Sequence, residues 1–163
     1  MKVCIYGAGA IGGWIGVHLA QKGHAVSVVA RGLTLEALKK NGLQCVQAQT
    51  QSQSPDASLN ANLSANVKVS ADPADLGPQD LIIVAVKAPA MLDVAQGIAP
   101  LLGPDTMVMT AMNGVPWWFF QGFGDKLQGT TLNTIDPDGR IAKAIPAKHV
   151  IGCVVHASCS LDA

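Results

Sequence analysis

The feature that most constrains this chain is a glycine-rich hexapeptide, GAGAIG at 7–12, which stands between two stretches of different periodicity. The preceding residues 2–6, KVCIY, are short and rich in β-branched and aromatic side chains, which is typical of a buried strand. The following stretch, 10–21, spaces its large apolar side chains at helical intervals and ends before the glycine of KGH. The sequence therefore begins with a strand, a tight glycine turn and a helix.

The same alternation of strand and helix continues along the chain. Residues 44–66, rich in Gln, Ser, Asn and Ala, interrupt it and predict an irregular or hairpin excursion. Apolar runs and helical spacing predict further strands at 25–30, 67–70, 81–86, 106–111 and 149–158, and helices at 33–41 and 89–102. Because parallel strands need helical crossovers between them, we expect an α/β fold: a Rossmann-type doubly wound, mainly parallel sheet with helices on both faces.

Each glycine of the hexapeptide suits contact with the pyrophosphate of a dinucleotide. Gly7 permits the tight turn, Gly9 lacks the Cβ that would keep the backbone away from the phosphates, and Gly12 lets helix and strand pack closely. The N-terminus of the following helix offers free N–H groups and partial positive charge to an anion. A lone G-x-G-x-x-G match could be an ordinary turn, but its place at the first strand–helix junction predicts dinucleotide binding.

The second predicted strand ends in VVAR, where NAD sites typically carry an acid. That acid accepts hydrogen bonds from the ribose 2′-hydroxyl, whereas it would repel a 2′-phosphate. Here Arg31 takes the position and the next acid is Glu36. The guanidinium fork fits a phosphate, so Arg31 favours NADP(H) over NAD(H). The alternative is a solvated arginine at a strand end.

Composition narrows the class of protein. The 163 residues carry 11 basic and 11 acidic side chains, so no charge excess points to nucleic acid or to a membrane surface. The apolar runs are far shorter than the roughly 20 residues of a membrane span, and the N-terminus has no signal-peptide layout. The four cysteines lack metal-ligand spacing, so we expect reduced thiols, several of them buried. These features predict a cytoplasmic globular domain without a metal site.

Four short motifs, taken in order along the chain, resemble the ketopantoate reductase (2-dehydropantoate 2-reductase) family. They are GAGAIG, the arginine of ARGLTLEAL, the lysine of VAVKAPAM and the NG of AMNGVPWW. The closing GCVVHAS also looks like the family's later strand, which runs beside the nicotinamide. The resemblance implies hydride transfer from NADPH to a 2-keto group, giving a 2-hydroxy acid as in pantothenate biosynthesis.

The resemblance also implies roles for individual residues. Arg31 would bind the 2′-phosphate, and Lys87 would contact the ribose or the nicotinamide side of the cofactor. Asn113 would face both nicotinamide and substrate, and Ala157 would lie against the cofactor. The pyrophosphate would be bound by Gly7, Ala8, Gly9, Ala10, Ile11 and Gly12. Without the family, Lys87 could equally be a surface lysine, and Asn113 with the glycine after it a simple turn.

The resemblance covers only the cofactor-binding half of the family. Its members carry a second, mostly helical domain with a general-acid lysine, a glutamate and groups that bind the keto acid. We therefore expect 1–163 to be an NADP(H)-binding domain with no catalytic residue of its own, inactive without a C-terminal domain as partner. A stand-alone NADP(H)-binding or sensor module and a scaffold that no longer binds nucleotide are the alternatives. The particular 2-keto acid and a homodimeric state stay open.

Overall fold

The computed structural model describes residues 1–46, 62–121 and 124–161. Within these ranges there are eight strands and four α-helices, which alternate as the sequence predicts except between residues 42 and 85, where four strands follow one another without an α-helix in the described part. They are β1 (Lys2–Tyr6), α1 (Ala10–Gln21), β2 (Ala25–Val29), α2 (Gly32–Asn41), β3 (Leu43–Cys45), β4 (Leu63–Ala65), β5 (Lys68–Ser70), β6 (Leu81–Val84), α3 (Met91–Gly97), β7 (Met107–Thr110), α4 (Arg140–Ala144) and β8 (Val150–Ile151).

Six of the strands form one parallel sheet in the order β5-β2-β1-β6-β7-β8. Central β1 pairs on both sides, so that Cys4 lies between Ser27 of β2 and Ile82 of β6. The chain moves outward from β1 through β2 to β5, then crosses to β6 and moves outward the other way. The predicted doubly wound α/β fold is confirmed, and the strand order reverses between β1 and β6, where such folds bind ligands.

Alternating side chains of β1 divide the core into two layers. Val3 and Ile5 are buried on the face covered by α1, whereas Cys4 and Tyr6 are buried on the face covered by α3 and α4. Strands that are covered on both faces have continuous apolar sequences, and β6 (LIIV) is a strand of this kind. Helices therefore lie on both faces of the sheet, as predicted.

β3 and β4 form an antiparallel hairpin beside the main sheet. Leu43 pairs with Ala65 and Cys45 with Leu63, and the hairpin packs against α1. The excursion predicted at 44–66 is thus a hairpin in its described part, while 47–61 lie outside the described residues.

The helix after β6 is shorter than the predicted span of 89–102. Regular α-helix occupies only Met91–Gly97, with 3-10 turns at Ala88–Ala90 and Ala99–Leu101. Each turn contains a proline near its start, which lacks the N–H that a continuous helix would need. The longest helix described is α1 with 12 residues, and none of the described helices is long and apolar enough to cross a bilayer.

The predicted strand at 149–158 is wrong over most of its length. Only Val150 and Ile151 pair, with Val108 and Met109 of β7. β7 continues for only one residue, Thr110, beyond its last pair with β8, so the chain after Gly152 has no neighbouring strand with which to continue the ladder. The segment 152–161 has no regular secondary structure.

The four cysteines are free thiols, as expected. The expectation that several are buried is wrong, because only Cys4 is buried and the other three are partly exposed. Burial raises the pKa of the Cys4 thiol from its ordinary 9.0 to about 12, partly opposed by hydrogen bonds with Ser27 and the Val29 backbone. Cys4 therefore acts as a small core side chain.

Candidate functional site

Two cavities lie at the carboxyl edge of the sheet. The first, of about 190 Å³, lies among the ends of β1, β2 and β6, and Gly7 and Arg31 line it. The second, of about 800 Å³, lies beyond the ends of β7 and β8, and Asn113 lines it. The segment 86–91 contributes residues to both walls and so separates the two cavities. The strand-order reversal between β1 and β6 places the first cavity where α/β sheets bind nucleotides.

The three motif glycines meet different steric constraints. Gly7 has a φ of +95°, and a Cβ there would stand 2.6 Å from Cγ1 of Val86. A Cβ on Gly12 would stand 2.1 Å from the Gly7 carbonyl oxygen. A Cβ on Gly9 would meet nothing within 4 Å. The fold itself therefore requires Gly7 and Gly12, whereas the space beside Gly9 is open to a ligand.

The N-terminus of α1 follows directly from this turn. Gly9 is its N-cap in an extended conformation (φ −70°, ψ −169°), and no side chain within the described ranges caps it. The first N–H groups of a helix have no partner inside the helix, so an uncapped start favours an anion. Ala8 is buried and Ile11 packs against the core, so any contribution of these two to phosphate binding comes from their backbone.

Arg31 lies two residues beyond the end of β2, at the strand end where it was predicted, and its side chain is 62% exposed. Nη1 donates a hydrogen bond to Oδ2 of Asp93 on α3, at 3.4 Å. Both side chains of this ion pair are equally exposed, and such pairs contribute about 0–1 kcal/mol. The guanidinium can therefore leave Asp93 for a phosphate at little cost.

Tyr6 lines the same cavity from the end of β1. It is only 5% exposed, and its hydroxyl has no hydrogen-bond partner in the part of the chain that the structure describes. Burial raises the pKa of Tyr6, and the positive charge of Arg31 partly opposes the rise. The phenol is thus neutral over the ordinary pH range. Gly97 makes room for it, since a Cβ there would stand 2.8 Å from the hydroxyl oxygen.

Asn113 follows β7, and its side-chain amide holds the segment after β8. Nδ2 donates to the Val155 carbonyl oxygen at 3.1 Å, and the Val155 N–H donates to Oδ1 at 2.9 Å. The pair of bonds replaces the missing strand ladder at this edge of the sheet. An amide has two donor hydrogens and an oxygen with two lone pairs, so one of each remains for a ligand in the second cavity.

Lys87 and Ala157 are both exposed and are not among the residues that line the two cavities. Lys87 lies between Val86, which lines the first cavity, and Ala88, which lines the second. Ala157 comes two residues after Val155, the backbone partner of Asn113. The fold thus brings Gly7 and Arg31 together at one cavity and Asn113 to the other, with Lys87 on the segment between them.

Aromatic and aliphatic side chains dominate the second cavity. Trp117 and Trp118 line it, and their indole N–H groups are buried without a partner among the described residues. No Asp, Glu, Lys, Arg or His of the described ranges lines this cavity. Across the same ranges no three His, Cys, Asp or Glu side chains gather to hold a metal ion. The second cavity therefore offers apolar contact and amide hydrogen bonds.

Asp93 and Tyr6 are the two described residues with polar side chains at the first cavity that we did not predict from the sequence. Among the described residues that line it, Asp93 is the only carboxylate, and it comes 62 positions after Arg31. The sequence predicts the strands but not their order in the sheet, and it is this order that brings the two residues together. Because β1 lies between β2 and β6, the helix that follows β6 begins near the end of β2.

The strand order, the cavity at its reversal point and the glycine turn define a Rossmann-type dinucleotide-binding domain. Residues 3–116 match the profile of the family described as ketopantoate reductase PanE/ApbA, and the chain belongs to this family. The resemblance predicted from the four motifs is confirmed. The family consists of reductases that use a nicotinamide dinucleotide.

Individual relatives agree with this assignment. The whole chain is 43% identical to a 2-dehydropantoate 2-reductase of Mesorhizobium japonicum (strain LMG 29417 / CECT 9101 / MAFF 303099), of which it covers 47%. A crystal structure from Ralstonia solanacearum MolK2, assigned as a ketopantoate reductase, is 50% identical with a TM-score of 0.87 over 99% of this chain and 46% of that one. The chain thus spans about half the length of these relatives.

A more distant structure shares the fold. D-mandelate dehydrogenase, in a ternary structure with NADH and anilino(oxo)acetate, has a TM-score of 0.65 at 22% identity, over 93% of this chain and 40% of that one. Because that protein was solved with NADH, the shared fold by itself does not decide between NADH and NADPH. The side chains at the first cavity must decide it.

Proposed function

We propose that this chain is the NADP(H)-binding domain of an NADPH-dependent reductase that converts a 2-keto acid into a 2-hydroxy acid. The observation that carries the proposal is the exposed Arg31 guanidinium at the cavity beside the glycine turn. The relatives named as 2-dehydropantoate 2-reductases support ketopantoate, the keto acid of pantothenate biosynthesis, as substrate. The partner in the reaction is a C-terminal domain of the kind that fills the other half of those relatives.

The phosphates of the cofactor would be bound at the start of α1 and at the end of β2. The uncapped N-terminus of α1 and the open space beside Gly9 suit the pyrophosphate. Arg31 suits a 2′-phosphate, because a charge-assisted hydrogen bond contributes about 1.5–3 kcal/mol, more than the exposed pair with Asp93. On this balance NADPH binds more tightly than NADH.

The nicotinamide would lie toward the second cavity, where the cofactor supplies the hydride. Lys87, on the segment between the cavities, would contact the ribose or the nicotinamide side. Asn113 has an amide N–H and a lone pair not used by Val155, which suit the nicotinamide carboxamide or the keto acid. Ala157 would lie against the ring, because Asn113 holds the segment that carries it. These residues bind and orient, and the proton for the product hydroxyl comes from the C-terminal domain.

Binding is tested by titrating the chain with NADPH and with NADH and following nucleotide fluorescence. We expect NADPH to bind about 10- to 100-fold more tightly, the range that one charge-assisted contact gives. Arg31→Gln should remove this preference, while Arg140→Gln, which lies away from the first cavity, should leave it unchanged. Equal affinity of the unsubstituted chain for the two nucleotides would contradict the role of Arg31.

The glycine turn has its own matched pair of variants. A methyl group on Gly9 or on Gly13 meets no atom of the described residues within 4 Å, apart from its chain neighbours and the backbone of its own helix, so both alanine variants should fold. Gly9→Ala should weaken both nucleotides at least tenfold by blocking close approach of the phosphates, and Gly13→Ala should weaken neither. Equal binding by the two variants would place the pyrophosphate elsewhere.

Activity is tested by joining the chain to the C-terminal half of the Mesorhizobium japonicum relative. The fusion should oxidise NADPH in the presence of ketopantoate, with the NADPH affinity of the isolated chain retained as evidence of correct folding. A fusion that binds NADPH and the keto acid without oxidation would favour the alternative, a stand-alone NADP(H)-binding module.

A further inference from the structure

We infer that Asp93 is a second specificity-determining residue, which opposes Arg31 by repelling a 2′-phosphate and by accepting a hydrogen bond from a 2′-hydroxyl. The inference rests on the proposed function, because it concerns how the same cavity distinguishes NADPH from NADH. It assigns to α3 a role in cofactor choice that the motifs of the chain do not indicate.

Asp93 and Arg31 belong to different strand–helix units and are brought into contact by the fold. Asp93 lies in the first turn of α3, which follows β6, and Arg31 follows β2. β1 lies between these two strands in the sheet. The carboxyl ends of both strands therefore lie beside the first cavity, which Gly7 also lines. The Nη1 to Oδ2 distance of 3.4 Å shows that the two side chains are in contact beside the cavity that both of them line.

A phosphate bound by Arg31 would therefore come close to the Asp93 carboxylate. The two groups have the same sign of charge, and the phosphate would replace Asp93 as partner of the guanidinium. Since both side chains are 62% exposed, water and salt screen the repulsion, and we expect an effect of about fivefold on the NADPH dissociation constant. Asp93 thus weakens the preference that Arg31 creates.

The same carboxylate supplies a hydrogen-bond acceptor for the 2′-hydroxyl of an unphosphorylated ribose, which the end of β2 lacks. NAD sites of this fold use an acid at that strand end to accept from the 2′-hydroxyl. Here the position is Arg31, and Asp93 is the one carboxylate that lines the cavity within the described part of the chain. Contributed from α3, it gives the 2′-hydroxyl of NADH an acceptor, and the cavity therefore accepts both cofactors.

The test compares Asp93→Asn with Asp105→Asn. Asparagine keeps the size of the side chain and removes the charge. Asp105 is equally able to lose a charge, but it is exposed in the turn before β7, at the opposite edge of the sheet. NADPH and NADH dissociation constants are measured for each variant and the unsubstituted chain, at low and at high salt, with thermal melting as the check of folding.

In Asp93→Asn we expect NADPH to bind about fivefold more tightly and NADH about threefold more weakly, with the NADPH effect shrinking at high salt. Asp105→Asn should leave the ratio of the two constants unchanged. An unchanged ratio in Asp93→Asn, or weaker NADPH binding, would overturn the inference, the latter because Asp93 would then orient Arg31 toward phosphate. If the unsubstituted chain binds neither nucleotide, the proposed function fails instead.

Discussion

Replacing Gly12 by alanine tests whether the close approach of α1 to the glycine turn holds this fold together. Gly12 lies in the first turn of α1, and a Cβ there would stand 2.1 Å from the Gly7 carbonyl oxygen. The Ala85 Cβ and the Ile5 Cγ2 would lie at 3.0 and 3.1 Å. Optimal contacts between non-bonded carbon atoms are about 3.5–4.0 Å. The start of α1 must therefore move away from β1 by about 1 Å to accept the methyl group.

The cost follows from which atoms are in contact. Overpacking a core costs about 1–3 kcal/mol, occasionally more, and the nearest atom here belongs to the backbone and cannot change rotamer. Alanine regains up to about 1 kcal/mol of helix propensity, so we expect a net loss of about 2–3 kcal/mol. At about 2–4 °C per kcal/mol for a domain of this size, the melting temperature should fall by about 5–10 °C.

Thermal unfolding followed by circular dichroism, without nucleotide, measures this change. Gly13→Ala is the matched control, because its Cβ meets nothing within 4 Å, and its melting temperature should rise by about 2 °C. The melting temperature of Gly16→Ala should lie between the two, since its nearest atoms belong to side chains rather than to the backbone, Leu43 Cδ1 at 2.9 Å and Ile5 Cγ1 at 3.1 Å. If Gly12→Ala melts within about 1 °C of the unsubstituted chain, the turn accommodates a methyl group and the steric argument is wrong.

Two further predictions concern Cys4 and Asn113. Burial raises the pKa of Cys4 from 9.0 to about 12, so the folded state holds the neutral thiol more strongly than the unfolded chain does. This contribution to the free energy of unfolding is fully present below pH 9 and is lost as the pH rises toward 12. The urea midpoint should therefore fall over this range, by an equivalent of up to about 4 kcal/mol. Cys4→Ala should flatten the decline, and an unchanged pH dependence in that variant would assign it to other groups. Asn113→Ala removes both bonds to Val155, so amide exchange at Val155 should accelerate at least tenfold; unchanged protection would show that other contacts hold the segment.

The architecture was predictable because its signals are local. The spacing of apolar side chains distinguishes strand from helix, and the glycine turn joins β1 to α1 within a few residues. Element ends were less predictable. The predicted strand at 149–158 is apolar enough to pair, but β7 ends opposite residue 152, and only Val150 and Ile151 pair with it. Whether an apolar run forms a strand depends on a neighbour that its own sequence does not contain.

Sequence by itself determined the class of this protein: alternating strands and helices, a glycine turn that suits a pyrophosphate, and Arg31 in place of an acid. The tertiary structure alone decided which side chains meet. Asp93 reaches Arg31 across 62 positions, and Val155 reaches Asn113 across 42. The physical reason is that parallel strands require long crossovers, so neighbours at the carboxyl edge of the sheet come from distant segments of the chain. The balance of charges at the first cavity is a property of that edge.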